Sequence, residues 1–284
     1  MDYLMHILIL IGFYSILSQG LCLLTGYGGM VSLAQAAFYG VGAYVTALLA
    51  ITFQVPFLVA VLASMLISAL IAWIVSLASL RTVEDYFIIC TLGIQLIITA
   101  LMNNWVGLTK GPLGIAGIPP IHVFGMELSG KLPFLILTWL CVLSVYLLLQ
   151  WLTGTSFGRV LRALSEDEIF AEATGHNVVL TKRIAFILSS VIACVPGCLY
   201  AHYISFIDPS GFTMDTSIFI LSIVIIGGIR NLKGCITASA LLVLIPELLR
   251  FLGLPSSDSA VLQRIIYGGL MVAACILPKK KDSK

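Results

Sequence analysis

Few reactive side chains in this sequence stand close enough together to share chemistry. Seven cysteines are scattered, mostly inside apolar runs, with no Cys-x-x-Cys pair. Cys194 and Cys198 lie at i, i+4 in an apolar stretch, a spacing that reads as packing rather than as a metal or disulfide site. His6, His122, His176 and His202 are dispersed, and no paired carboxylates or Ser/His spacing accompany them, so no catalytic or metal-binding constellation is expected. No Gly-x-x-x-x-Gly-Lys-Ser/Thr loop is present to cradle phosphates. The chain is therefore expected not to be an enzyme and to hold no cofactor of its own.

The polar groups that stand out are uncharged. Ser32, Gln35, Tyr39, Gly42 and Thr46 fall within about an 80° arc at helical pitch. Beside them Ala36, Gly40, Ala43 and Ala47 form a stripe of small residues at i, i+4, i+7 and i+11, the kind that lets membrane helices approach closely. Thr91, Gln95 and Thr99 repeat the polar pattern and run on to Asn103 and Asn104. A later run carries Ser189, Ser190 and Pro196-Gly197, a pair expected to kink a helix. Uncharged polar groups in hydrocarbon need partners or water. Ser32, Gln35, Tyr39, Gly42, Thr46, Thr91 and Gln95 are thus either interhelical bonding groups or the lining of a translocation path. Glu247 and Arg250 stand at i, i+3 near the end of one apolar run, where they can pair, and the central parts of the other runs hold no Asp, Glu, Lys or Arg. That scarcity weakens an ion-coupled carrier, which usually carries intramembrane charge.

These residues sit in a chain of 284 residues that is 60% hydrophobic and 10% charged, with a mean hydropathy of +1.10. A soluble domain is about 25% charged, so a water-soluble domain and a disordered chain are excluded. A net charge of +2 without a basic stripe excludes a nucleic-acid binder. Spans of about 20 apolar residues cross a bilayer as helices, and nine are expected, at 3–24, 31–50, 56–80, 86–104, 133–153, 184–204, 216–229, 235–252 and 260–277. The expected fold is an all-α polytopic bundle forming one transmembrane domain, 1–278, with a basic tail, 279–284. The first run lacks a positive leading segment and is expected to be retained as a helix. Lys279, Lys280, Lys281 and Lys284 orient the tail to the cytoplasm. Counting back through the spans puts Arg230, Lys233, the loop 154–183 and Arg81 on the same side.

Two loops carry information. Segment 105–132, dense in Gly and Pro, is expected to be a structured outer loop. In loop 154–183, Ser165-Glu166-Asp167-Glu168 reads as a capping box with Ser165 at the N-cap and Glu168 at N3. Gly175 supplies the residue past the helix end. A short capped helix bearing Ile169 and Phe170 is suited to fit a groove on a partner.

In this order the motifs resemble the permease subunits of branched-chain amino acid ABC importers, of the LivM type. Gly26-Tyr27-Gly28-Gly29 with Ser32-Leu33-Ala34-Gln35-Ala36-Ala37-Phe38-Tyr39-Gly40 is similar to that family's early segment, with Gln35 where histidine is common. Arg81-Thr82, Tyr86-Phe87, the Thr109–Gly117 loop, Gly227-Gly228 and Pro246-Glu247 also fit, with Glu84-Asp85 in place of a usual glycine. The fullest match runs from Phe157 to Asn177. The resemblance implies a coupling helix that seats in an ATPase subunit, carried by Gly158, Arg159, Arg162, Ala163, Glu166, Asp167, Ala171, Glu172, Ala173 and Gly175. It further implies an inner-membrane permease importing leucine, isoleucine and valine by alternating access. Its partners would be a second permease of the LivH type, two ABC ATPases, a periplasmic binding protein and membrane lipid. Transport of urea or short amides within the same family is the alternative, and an ion-coupled secondary carrier a more distant one.

Overall fold

Backbone groups in hydrocarbon find no water, so each spanning segment must close its hydrogen bonds internally. The computed structural model describes residues 2–79, 84–123, 126–127, 130–251, 268–269 and 272. Among them run α1 (Asp2–Leu21), prolonged by a π-helical turn (Cys22–Tyr27), α2 (Gln35–Thr52), α3 (Phe57–Ser79) and α4 (Glu84–Asn104). Then come the short α5 (Val106–Thr109), α6 (Lys131–Gly154), α7 (Ser156–Glu166), α8 (Glu168–Ala173), α9 (Val178–Ile204), α10 (Met214–Gly227) and α11 (Leu232–Phe251). The fold is an all-α polytopic bundle, and six of these helices are long and apolar enough to cross a membrane. Expected spans from 3–24 to 235–252 each fall on one of these helices. The last, 260–277, lies outside the described residues save for 268, 269 and 272, as do Arg81, Thr82 and the tail 279–284.

Burial sorts the helices into a centre and a rim. The spanning windows of α1, α2 and α9 are 83%, 72% and 67% buried, against 28% for α3, α4 and α6. The α3 sequence shows why it lies at the rim. Ala60, Ser64, Ser68, Ala72 and Ser76 recur every four residues and are buried, while Leu62, Leu66, Leu70 and Trp73 on the other side are exposed. Lipid tails are as apolar as leucine, so small residues face the bundle where close packing counts and large ones are left outside.

A very close helix contact joins α2 to α9. A Cβ built on Gly42 would stand 2.2 Å from the Cys194 carbonyl oxygen, and one on Gly197 would stand 2.0 Å from that of Tyr39. The close approach to α9 therefore uses Gly42, on the polar arc. The small-residue stripe serves a different neighbour at Gly40, whose Cβ would meet Met102 and Phe212 at 2.7 and 2.9 Å. Pro196 lies inside α9, one residue before Gly197 at this contact.

Segment 105–132 is structured where it is described. Strand β1 (Ile115–Ala116) pairs antiparallel with the later Phe206–Ile207, in register Ile115↔Ile207 and Ala116↔Phe206. Between them in the chain, β2 (His122–Val123) pairs with β3 (Met126–Glu127), which makes Phe206–Ile207 strand β4. Ile115, Ile118, Ile207 and Phe212 are buried beneath this end of the bundle.

Gly42→Val and Gly197→Val each drive a side chain into facing backbone that cannot turn aside. Each is expected to destabilise the chain by ~3 kcal/mol, seen as lost monodisperse protein and a lowered unfolding midpoint in detergent. Gly93→Ala, with nothing within 4 Å of its added carbon, should leave both unchanged.

Candidate functional site

Two assemblies carry the residues marked in the sequence: a polar seam inside the bundle and a capped surface at one end. The seam begins at Gln35, on the first turn of α2. Its Nε2 donates to Leu17 O of α1 at 3.3 Å, and Ser189 of α9 lies 3.5 Å away and donates to Gly20 O at 2.8 Å. Gln95 of α4 uses its whole amide. Oε1 accepts from Ala37 N at 2.7 Å and Ser217 Oγ at 3.2 Å, and Nε2 donates to Phe212 O at 2.8 Å and Thr99 Oγ1 at 3.2 Å. Thr91 accepts from Leu33 N at 3.1 Å, and Ser32 Oγ accepts from Ala34 N at 3.3 Å. Thr46 Oγ1 lies 2.7 Å from both Gly42 O and Ser64 Oγ. Tyr39 packs against the rings of Phe212 and Tyr200, with centroids 5.0 and 5.7 Å away.

Ser32, Gln35, Tyr39, Thr46, Thr91 and Gln95 are all buried; in this conformation Gln35, Thr46, Thr91 and Gln95 bond other elements, while Ser32 bonds Ala34 and Tyr39 packs between rings. Ser217 of α10, which the sequence pattern passed over, is part of the seam: it also accepts from Ala36 N at 3.0 Å. A serine amid Ile and Phe carries no periodic signal, because its partners come from two other helices.

At one end of the bundle, segment 154–183 is almost wholly helical. Gly158 lets α7 turn sharply off α6, since a Cβ there would lie 2.4 Å from Thr153 O. Arg162 Nη2 donates to Thr153 O at 3.0 Å, and its guanidinium lies 5.1 Å over the Tyr27 ring. Arg159 Nη1 reaches Gly154 O at 3.4 Å. Ala163 packs beside a small core of Leu164, Ala171 and Val178.

The expected capping box is corrected here. Ser165 belongs to the last turn of α7 and donates to Arg162 O at 2.7 Å. Asp167, extended at φ −155° and ψ 107°, ends that helix and caps α8, its Oδ1 accepting from Phe170 N at 3.0 Å. Ser and Asp are equally good N-caps, and the break falls where the backbone is extended. Glu168 does not reach back to a cap. It pairs instead with Lys182 at 2.6 Å, which is buried on α9 rather than solvated in a loop.

The end of α8 follows the expectation. Gly175 has φ +85° and donates to Glu172 O at 2.9 Å, while His176 N reaches Ala171 O at 3.4 Å, the paired bonds of a Schellman ending. Between the two caps Ile169 and Phe170 are 81% and 64% exposed, and Glu166, Asp167, Glu172 and Ala173 are exposed with them.

The opposite end holds two cavities of about 580 and 390 Å³ that share Pro120 and His202. His202 Nδ1 lies 2.7 Å from Pro119 O, and its ring stands edge-on to Phe57. Nearby, Tyr3 donates to Glu247. The side chain of Arg250, expected to pair with Glu247, lies outside the described residues.

Comparison with known proteins places this architecture among transport proteins. The family model described as branched-chain amino acid transport system / permease component matches residues 3–275. The chain is 32% identical to the high-affinity branched-chain amino acid transport system permease protein LivM of Salmonella typhimurium and 31% identical to that of Escherichia coli. Both matches cover 93% of this chain and 66% of the relative, so the chain spans just under two thirds of their length. It is 22% identical to the LivH permease protein of Salmonella typhimurium, over 81% of this chain and 79% of the relative. No solved structure matches.

Gln95→Leu removes the acceptor of the Ala37 N–H in a place without water. It is expected to cost about 2 kcal/mol and to lower the unfolding midpoint of the purified chain in detergent. An unchanged midpoint would show that Gln95 does not hold the seam.

Proposed function

The chain belongs to the permease-component family of branched-chain amino acid transport systems, and from that premise we propose that it is the membrane-spanning permease subunit of an ATP-driven ABC importer for leucine, isoleucine and valine. The observation that carries the reading is the match of residues 3–275 to that family model. The proposed complex lies in a bacterial inner membrane and includes a second permease of the LivH type, two ABC ATPases and a periplasmic binding protein. In this reading residues 1–278 form one transmembrane domain with its tail, 279–284, in the cytoplasm, and ATP is bound by the partners.

The α7–α8 segment is proposed as the coupling element. A short helix lacks the length to be stable alone, and α8 is held by a cap at each end and by the ion pair to α9, leaving Ile169 and Phe170 outward. An apolar pair on a fixed helix is what a groove on an ATPase can bind. Gly158, Arg159, Arg162 and Ala163 set the angle at which α7 leaves the membrane, Glu166 ends α7, and Asp167, Ala171, Glu172, Ala173 and Gly175 shape and end α8. Movement imposed there would pass along α9 to its close contact with α2. The seam residues Ser32, Gln35, Tyr39, Gly42, Thr46, Thr91 and Gln95 are proposed as the wall uncovered when these helices separate. An uncharged, hydrogen-bonding wall suits a zwitterion with an apolar side chain.

Substituting Ile169 and Phe170 together by Asp is expected to lower the ATPase recovered with the chain by about tenfold while leaving the chain folded, read by quantitative co-purification. Gly175→Ala, strained at its positive φ, should lower it less. Unchanged recovery in both would remove the coupling assignment. Gln35→Cys and Thr46→Cys should react with a small aqueous thiol reagent in one nucleotide state of the assembled transporter. No reaction in any state would remove these residues from the pathway.

A further inference from the structure

At the α7–α8 end stands Arg230, in the turn between α10 and α11, which none of these roles uses. Arg230 has φ +72°, a left-handed conformation that a non-glycine residue keeps only where its surroundings enforce it. The enforcement is visible on every side. Arg230 Nε donates to Gly26 O at 3.0 Å, Nη1 to Glu166 Oε1 at 3.0 Å and Nη2 to Ser165 Oγ at 2.6 Å. The Arg230 carbonyl in turn accepts from Tyr27 Oη at 3.0 Å, and Tyr27 lies beneath Arg162. One side chain thus joins the last turn of α7 to the π-helical end of α1.

The backbones around it leave no slack. A Cβ on Gly26 would stand 2.7 Å from Arg230 N, and one on Gly29 would stand 3.1 Å from Ser165 Cβ. The turn that carries Arg230 is itself closed, since a Cβ on Gly234 would stand 1.8 Å from Gly227 O, and Asn231 Oδ1 accepts from Gly234 N at 3.0 Å. Stability is a poor reason for the arrangement. The ion pair is exposed, with Arg230 and Glu166 side chains 37% and 69% accessible, and such pairs contribute little. What the planar fork of an arginine supplies is fixed geometry between two elements. The π-helical turn it grips is a form that recurs at functional sites.

We propose that Arg230 is a positioning residue of the transport cycle, the link by which displacement of α7 is delivered to α1 and to the α10–α11 turn. The assignment rests on the reading of α7–α8 as the coupling segment. Without Arg230, α8 still pulls on α9 through Glu168 and Lys182, but α7 keeps only its packing and the Arg162–Tyr27 contact against the end of α1, and loses the hydrogen-bonded fork. Drive from the ATPases then reaches α1 and the α10–α11 turn weakly.

The test uses the whole transporter in proteoliposomes, with radiolabelled leucine and the binding protein, and counts leucine taken up per ATP hydrolysed. Arg230→Gly is the informative variant, because glycine adopts the same φ without strain and the turn is kept while the fork is lost. Leucine per ATP is expected to fall about tenfold, with ATPase recovery unchanged. Arg230→Lys, which keeps charge without the fork, should fall between. A leucine-per-ATP ratio in Arg230→Gly within about twofold of wild type overturns the proposal. So does a loss of uptake that only parallels loss of assembled complex, since Arg230 is then structural. A wild-type chain that recovers no ATPase, or shows no ATP-driven leucine uptake, overturns the coupling reading itself and this assignment with it.

Discussion

In hydrocarbon no water stands ready to take a hydrogen bond, and nothing apolar is gained when one apolar helix leaves lipid for another. The close approach of α2 and α9, with Gly42 against the Cys194 carbonyl and Gly197 against that of Tyr39, is this chain's answer to both conditions. With no side chain between them, the two backbones approach until dispersion and carbonyl contacts hold them together. The rest of the interior depends on that distance. It brings Ser189 within reach of Gln35, and sets Thr46 beside Ser64 on the small-residue face of α3. It also fixes the first turn of α2 where Gln95 can bond Ala37 from α4. A larger residue at either glycine would separate the helices and draw Ser189 away from Gln35.

Much of this could be read from the sequence, and the reason differs from one element to the next. The apolar runs were long and uninterrupted, so the positions of the helices followed from bilayer thickness alone. The Ser/Ala periodicity of α3 and the Gly at the end of α8 are local signals that need no knowledge of the fold. The break between α7 and α8 was harder, because Ser165 and Asp167 are both good caps two residues apart and only backbone geometry chooses between them. Lys182 read as a loop charge because its partner, Glu168, lies 14 residues earlier in sequence and meets it only after α8 folds back. The partners of Gln35 and Gln95 lie on other helices, so the polar arc announced a bonding face without saying what it would bond. Arg230 gave no sign beyond its charge, since its left-handed backbone is imposed by Gly26, Tyr27 and Ser165 together.

The neutrality of the seam bears on how the proposed permease would be driven. Separating the helices breaks the bonds made by Gln35, Thr46, Thr91 and Gln95. At about 0.6 kcal/mol for an average interhelical hydrogen bond in a membrane, that amounts to a few kcal/mol. Switching a two-state equilibrium from 1:99 to 99:1 requires a difference of about 5.5 kcal/mol, so the seam alone supplies a substantial part of the bias toward the closed arrangement. No carboxylate or ammonium lies among these groups, so protonation has no group to act on there. In the proposed reading the drive enters at the α7–α8 end, where caps, an ion pair and the Arg230 fork hold short helices against long ones. A partner that binds α8 better in one arrangement than the other can shift the equilibrium by its difference in affinity, and by no more. In the proposed reading the two tasks fall on different groups: selection on an uncharged seam, and drive on a surface where charge can be fixed without entering the membrane.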